Sequence, residues 1–488
     1  MRKTASILLL LVGLAAQAQE WTSILAFDEV KQIAVSPDKV YGVSNGNLFS
    51  VDRIYETLTV YDRKSGLHFS QIEQIGYDED TQSLLIIYQL GRIDVITSAG
   101  IKAVTDYFSK DITSDKQVNN ITFREGKAYL STEFGVVIYD IRNNSFDCCY
   151  IGENASEVSV KDITFSGDSI YAKTSSAVYA ADIKDNILDY SYWHITTSSV
   201  AWDTDKGVNV KDDNGIIWQA GGSEGVVRTD ILGQRTSYLP DSPISNYCYR
   251  IRLSGEKIGI VPGKYEVAFG DRIGFVMTRD EGKWKNYSSA YMKSHIGRVS
   301  YDYCDIAFDP ADNSHFFVAS FGYGLIEFRN NEFYKVHTPD NSPIEGVWDG
   351  AGWKYYWVDG LRYDAEGNLW MTNISNNGIK VLMHDSTWVS INNEASKHLT
   401  RAQDLLISYK NPNIKLVSCL NTGLGIMDDN GTIADQTDDR AVYLTAFKDA
   451  RGEYIIIDRI CTIHQTEDGA LWIGSNHGLY RIADPIAI

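Results

Sequence analysis

Proline is scarce, with 9 in 488 residues, and no Pro/Ser/Gly-rich linker divides the chain as a string of independent domains requires. Cysteine is also sparse, at Cys148, Cys149, Cys248, Cys304, Cys419 and Cys461. That scatter excludes a disulfide-dense miniature scaffold, and no C-x-x-C pair offers the converging ligands of a structural zinc site. The expectation is buried or unpaired thiols, with Cys148 and Cys149 on opposite faces of a strand. Basic residues are outnumbered, 45 Lys+Arg against 64 Asp+Glu for a net charge of −19. Such a chain repels phosphate backbones, which disfavours nucleic acid as a partner. After the first 18 residues no apolar run is long enough to span a bilayer, so the mature chain is expected to have no transmembrane segment. The nine His are scattered, with no H-E-x-x-H, and no glycine-rich phosphate loop occurs. No metal and no cofactor is expected.

Aromatics, by contrast, are plentiful: 30 Tyr, 17 Phe and 11 Trp, within 44% hydrophobic content. Without Ala/Glu/Lys-rich helical stretches, this composition points to an all-β protein with a substantial core. At the amino terminus Arg2 and Lys3 precede an apolar run from Ile7 to Leu14, and Ala16-Gln17-Ala18 supplies the small residues of a cleavage site. Residues 1–18 read as a signal peptide, with Gln19 the first mature residue. No Cys follows the cut for a lipid anchor. The expected location is the periplasm or the outer-membrane surface.

A recurring unit dominates the rest: an apolar strand, a turn, a strand carrying an aromatic or aliphatic residue, a loop, then a Gly opening another strand. The best copy spans 463–482, with Asp468-Gly469, Leu471-Trp472-Ile473 and Gly478. A second has Asp364, Gly367, Leu369-Trp370-Met371 and Gly378. Weaker copies are Val40-Tyr41 with Gly46, Leu85-Ile86 with Gly91, Ala128-Tyr129-Leu130 with Gly135, Ile170-Tyr171 with Ala177, Ile217-Trp218 with Gly225, Phe316-Phe317-Val318 with Gly324, and Leu416-Val417 with Gly423. A degenerate copy must lie between Lys257 and Trp284, for about ten units stepping by about 42 to 55 residues. A period of this length, filled with short strands, is that of a β-propeller, whose four-stranded blades bury their faces on one another. An array of β-sandwiches is the alternative. Seven units fit in residues 19–345, a common ring closure, and about three follow in 346–488. The expectation is therefore one seven-bladed ring plus a partial second propeller, with a boundary near 345.

Few motifs suggest chemistry. Gly42-Val43-Ser44-Asn45-Gly46 matches G-x-S-x-G, but a nucleophile elbow needs a helix after the Ser, and Asn47 to Val51 reads as a strand. Asp203, Asp205 and Gly207 resemble part of a calcium loop without its remaining ligands. Asp78-Glu79-Asp80 reads as an exposed turn. One stretch stands out, residues 346–360, with Trp348, Trp353, Tyr355, Tyr356 and Trp357 beside Asp349 and Asp359. Its aromatic faces suit sugar rings and its carboxylates suit hydroxyls. The competing reading has Tyr355 and Trp357 alternating inward to seal a junction.

With these residues in view, the repeat at 467–481 resembles the two-component-regulator propeller repeat. The amino-terminal third is similar to the PorZ family of the type IX secretion system of Bacteroidota. The stretches that carry this are Trp21-Thr22-Ser23, Val40-Tyr41 through Gly46-Asn47-Leu48-Phe49, Ser65-Gly66-Leu67, Leu85 to Tyr88 with Gly91 to Ile96, and Ala128 to Val137. The resemblance implies two seven-bladed propellers and a carboxy-terminal β-sandwich, working in a cell-surface attachment complex that supplies anionic lipopolysaccharide. The chain reaches Ile488 without the sandwich, so a sequence lacking the carboxy-terminal part is expected. The implied function is a non-enzymatic secretion accessory whose partners are outer-membrane secretion and attachment components or lipopolysaccharide glycan. The alternatives are a periplasmic carbohydrate-sensing propeller of a hybrid two-component system and a polysaccharide-degrading propeller enzyme. No catalytic residue is assigned.

Overall fold

The computed structural model describes residues 22–485 except 112–113, 264–271, 349–353, 376, 398, 400–401, 421–422, 450 and 458. The signal-peptide expectation therefore lies outside the described residues. The chain is all-β, a succession of antiparallel meanders whose strands pair in sequence order, as propeller blades do. Each quoted repeat lands on the second strand of a sheet, from Lys39–Ser44 in the first to Leu471–Ser475 in the last. The degenerate copy becomes the strands Lys257–Val261, Val276–Asp280 and Lys283–Tyr287.

The chain divides into two compact units, residues 1–246 and 247–488. The first holds five four-stranded sheets, over 30–61, 72–104, 118–149, 160–196 and 209–238. Apolar side chains fill the seam between the first and second sheets (Leu48, Ile75, Ile86), and between the second and third (Leu85, Ile121, Leu130). The fifth sheet returns to the first: Trp218, Val226 and Tyr238 share a core with Val30, Val40 and Phe49. Val30 bridges Gly222, and Phe27 N–H donates to the Pro243 carbonyl at 3.1 Å.

The second unit holds four-stranded sheets over 250–287, 303–337, 358–391 and 402–444, then a three-stranded one over 460–482. Apolar cores link each to the next. Among the described residues no such core joins the last of these sheets to the first. The two compact units divide at 246/247, not near the expected 345. Within residues 1–246 the sheet carrying Trp218 packs on the sheet carrying Val30. The chain does not break at 346, because Phe317 and Leu325 pack directly on Val358, Leu369 and Met371 of the following sheet.

Two local features explain the repeat. The glycine opening the third strand is imposed by its neighbour: a Cβ on Gly135 would lie 2.2 Å from the Cys149 carbonyl oxygen, and one on Gly423 2.1 Å from that of Leu444. In addition, the pairing of first and second strands slips by a residue, between Val30 and Gln32, Ile72 and Gln74, Val160 and Asp162, Tyr303 and Asp305, and Ala402 and Asp404. Such bulges re-aim the side chain that follows, and in each case that residue is polar.

Candidate functional site

In the second unit these re-aimed residues meet. Arg250 and Arg252 lie on the strand Arg250–Ser254, Asp305 on Tyr303–Phe308, Asp359 and Arg362 on Val358–Tyr363, and Asp404 on Ala402–Ile407. Each strand is the first of its sheet, so four successive sheets contribute. Arg252 grips Asp305 with both arms of its fork, Nε to Oδ1 at 2.8 Å and Nη2 to Oδ2 at 3.0 Å. Arg250 Nη1 donates to Asp305 Oδ2 at 3.0 Å and to Asp359 Oδ1 at 3.3 Å. Arg362 reaches Asp305 Oδ2 at 3.2 Å through Nη1 and Asp404 Oδ1 at 2.6 Å through Nη2. The Leu361 and Ile306 amides also donate to Asp305.

The two fully buried carboxylates differ in kind. Burial alone would push the Asp305 carboxyl up, but Arg250, Arg252 and Arg362 hold it well below the usual carboxylate range. Asp359 has one guanidinium contact, and burial pushes its carboxyl up to about 7, with Arg250 opposing and Asp305 and Asp404 adding to the rise. Its Oδ1 also accepts the Gly360 amide at 2.8 Å, whereas Oδ2 is buried with no hydrogen-bond partner. Three guanidiniums against the carboxylates of Asp305 and Asp404 leave one surplus positive charge when Asp359 is protonated. Arg252 and Arg362 keep about a quarter of their side chains exposed. The cluster can therefore hold a proton and present guanidinium edges to an anion. It contains no nucleophile paired with a base and an orienting group, which covalent catalysis requires.

The aromatic stretch separates into different environments. Trp357 is buried, its ring 4.0 Å from that of Phe321, and its carbonyl accepts from Asn373 Nδ2 at 2.8 Å and the Ile374 amide at 3.1 Å. It offers no open face. Asp359 meets Arg250 instead of solvent. Tyr356 is half-buried against the core shared by the sheets at 303–337 and 358–391, and Tyr355 is half-buried on the hairpin that pairs Val347–Trp348 with Lys354–Tyr355. Trp348 lies on that hairpin, and Asp349 and Trp353 are outside the described residues.

The other motifs have structural roles. Ser44 ends the strand Lys39–Ser44 and is buried, its hydroxyl accepting the Asp28 amide at 2.8 Å. Asp78 is buried, not exposed, and receives the Thr81 amide and hydroxyl at 3.0 and 2.6 Å. Asp203 accepts the Asp205 amide at 3.0 Å, and among the described residues no His/Cys/Asp/Glu group could hold a metal ion. Cys148, Cys149, Cys248 and Cys304 are free thiols. No helix of the described residues is long and apolar enough to cross a membrane. Reading the sequence missed the arginines. A polar residue following the apolar start of each repeat's first strand (Gln32, Gln74, Asp162, Asp305, Asp404) was the available signal.

Residues 40–194 match the family described as the type IX secretion PorZ amino-terminal β-propeller domain. The structure of PorZ, an essential bacterial surface component of the type IX secretion system of the oral species Porphyromonas gingivalis, aligns with a TM-score of 0.80 at 21% identity, over 95% of this chain and 73% of that one. The resemblance read in the sequence is thus shown, and the propeller fold with it. The extracellular domain assigned to a one-component system of B. thetaiotaomicron aligns at a TM-score of 0.34 and 15% identity, over 96% of this chain and 60% of that one. An ancestral GH74 enzyme aligns at 0.32 and 11%, over 96% and 69%. Neither of these two supports an argument about function. No curated protein matches the sequence.

Proposed function

We propose that this PorZ-like propeller is a non-enzymatic accessory of type IX secretion, located in the periplasm or at the outer-membrane surface, that engages secretion and attachment components or anionic lipopolysaccharide glycan. The observation that carries the reading is the match of 40–194 to the PorZ propeller, joined to a PorZ-like fold over 95% of the chain. Two further features support it. The buried ionic cluster has arginines suited to anions and lacks a catalytic constellation. Tyr355 and Tyr356 are half-buried, and in this reading Trp348, Trp353, Tyr355, Tyr356 and Asp349 are the residues that meet sugar, with Trp357 as their buried support.

The test is affinity purification of the tagged protein from solubilised outer membranes, followed by mass spectrometry and glycan analysis. Type IX secretion components or lipopolysaccharide should co-purify. Recovery of neither, from cells in which the tagged protein is functional, would reject the proposal. Within it, Trp353→Ala with Tyr356→Ala tests the aromatic stretch: glycan recovery should drop, and unchanged recovery with lowered stability would assign those rings to packing alone.

A further inference from the structure

Arg92 sits in the first unit, between the strands Ser83–Tyr88 and Ile93–Thr97. Its guanidinium carbon lies 5.3 Å from the centroid of the Phe69 ring and 4.6 Å from that of Phe108. The Phe108 ring carries a second cation, Lys116, at 5.7 Å. Lys116 is occupied, donating to the Phe108 and Lys110 carbonyls at 2.5 Å each. Arg92 is not: no carboxylate among the described residues comes within ion-pair distance of its guanidinium, in a chain with 64 acidic side chains. It is nevertheless half-buried. Stacking on aromatic faces returns only part of what removing a cation from water costs. A clamped, partly desolvated fork with its N–H donors unspent is pre-organised for an acceptor that the described chain does not supply.

A second group borders the same ring. Two residues along the strand, Asp94 is fully buried and accepts the Tyr88 hydroxyl at 2.8 Å, the His68 amide at 2.9 Å and His68 Nδ1 at 3.0 Å. The contact with Asp94 fixes the His68 ring through Nδ1 and leaves Nε2 on its far side. The His68 side chain is 45% exposed and its ring centroid lies 6.2 Å from that of Phe69.

We propose that Arg92, with the Asp94-oriented His68 bordering the same Phe69 ring, is an anchor for an oxyanion: a carboxylate or phosphoryl group of a small ligand. The site lies in the first unit, separate from the Arg250 cluster, and does not depend on the secretion reading. The experiment uses the mature full chain and its Arg92→Gln and Arg92→Lys variants. Sodium phosphate and sodium acetate are titrated separately at constant ionic strength by calorimetry. In parallel, protection of Arg92 from phenylglyoxal is read by peptide mass spectrometry. Saturable binding of either anion, with matching protection in the wild type, is expected, and the anion that saturates identifies the ligand group. Binding should weaken at least about tenfold in Arg92→Gln and by less in Arg92→Lys, which keeps the charge but not the fork. Thermal melts matching the wild type are the criterion that both variants remain folded. If neither anion protects Arg92, or if folded Arg92→Gln binds as the wild type does, the proposal is overturned.

Discussion

Replacing Asp359 by Asn tests the physics of the ionic cluster directly. A carboxyl moved from its ordinary value near 4 up to about 7 keeps its proton in the folded chain and releases it in the unfolded one throughout that window. Because the folded-state value is raised, the folded state binds more protons there, and the contribution of Asp359 to stability falls as pH rises from about 4 to 7, then levels off. The full displacement corresponds to a ceiling of about 4 kcal/mol. Between pH 5 and pH 8 roughly 2–3 kcal/mol of it should be felt. Asn is close in shape to the protonated acid and does not titrate. The stability of Asp359→Asn relative to wild type should therefore improve by that amount from pH 5 to pH 8, whatever constant offset the substitution carries. Urea unfolding followed by intrinsic fluorescence at pH 5, 6, 7 and 8 measures the difference, in which every other titrating group cancels. A difference that stays flat, or that moves against the variant as pH rises, would refute a buried proton on Asp359.

The partner carboxylate should behave oppositely. Asp305→Asn should cost about 3–5 kcal/mol at pH 7, since it leaves three arginines facing one another, and because the Asp305 carboxyl is held low, that deficit should shrink as pH falls below about 4; a deficit unchanged at pH 3 would contradict its ion pairing. Gly423→Ala should destabilise by about 2–4 kcal/mol through the clash with the Leu444 carbonyl, whereas Gly255→Ala, at a positive φ but in open space, should cost about 1 kcal/mol; equal losses in thermal melts would show that the third-strand glycine is not set by that contact. Trp218→Ala should cost about 3–5 kcal/mol and open residues 1–246 to limited proteolysis before 247–488. Earlier cleavage in the second unit would place ring closure elsewhere.

Much of the architecture was legible because each blade repeats one physical problem. The strand with its aromatic, the tight turn and the glycine recur since every blade meets the same neighbour in the same way, so even the weak copy between Lys257 and Trp284 became three strands. Ring size was not legible. The seam that closes the first unit, Trp218 and Tyr238 against Val30 and Phe49, is built from the same residue types as every other seam. Nothing local to the fifth repeat marks it as the last. The site was half visible. Asp359 was singled out as a terminus of an aromatic run, yet its partners Arg250, Asp305 and Asp404 come from three other repeats, and a cluster assembled by radial stacking has no sequence spacing. Trp357 was offered as a sugar platform on composition alone, and its burial against Phe321 depends on how the strand enters the sheet.

The role in secretion has its own decisive measurement. In the native host, deleting the gene and comparing the secretion and surface attachment of type IX cargo with that of a complemented strain asks the question without reference to any single residue. The account predicts that cargo accumulates inside the deletion strain or is released unattached, and that the gene restores export and attachment. Cargo exported and attached at wild-type levels in the deletion strain would contradict it.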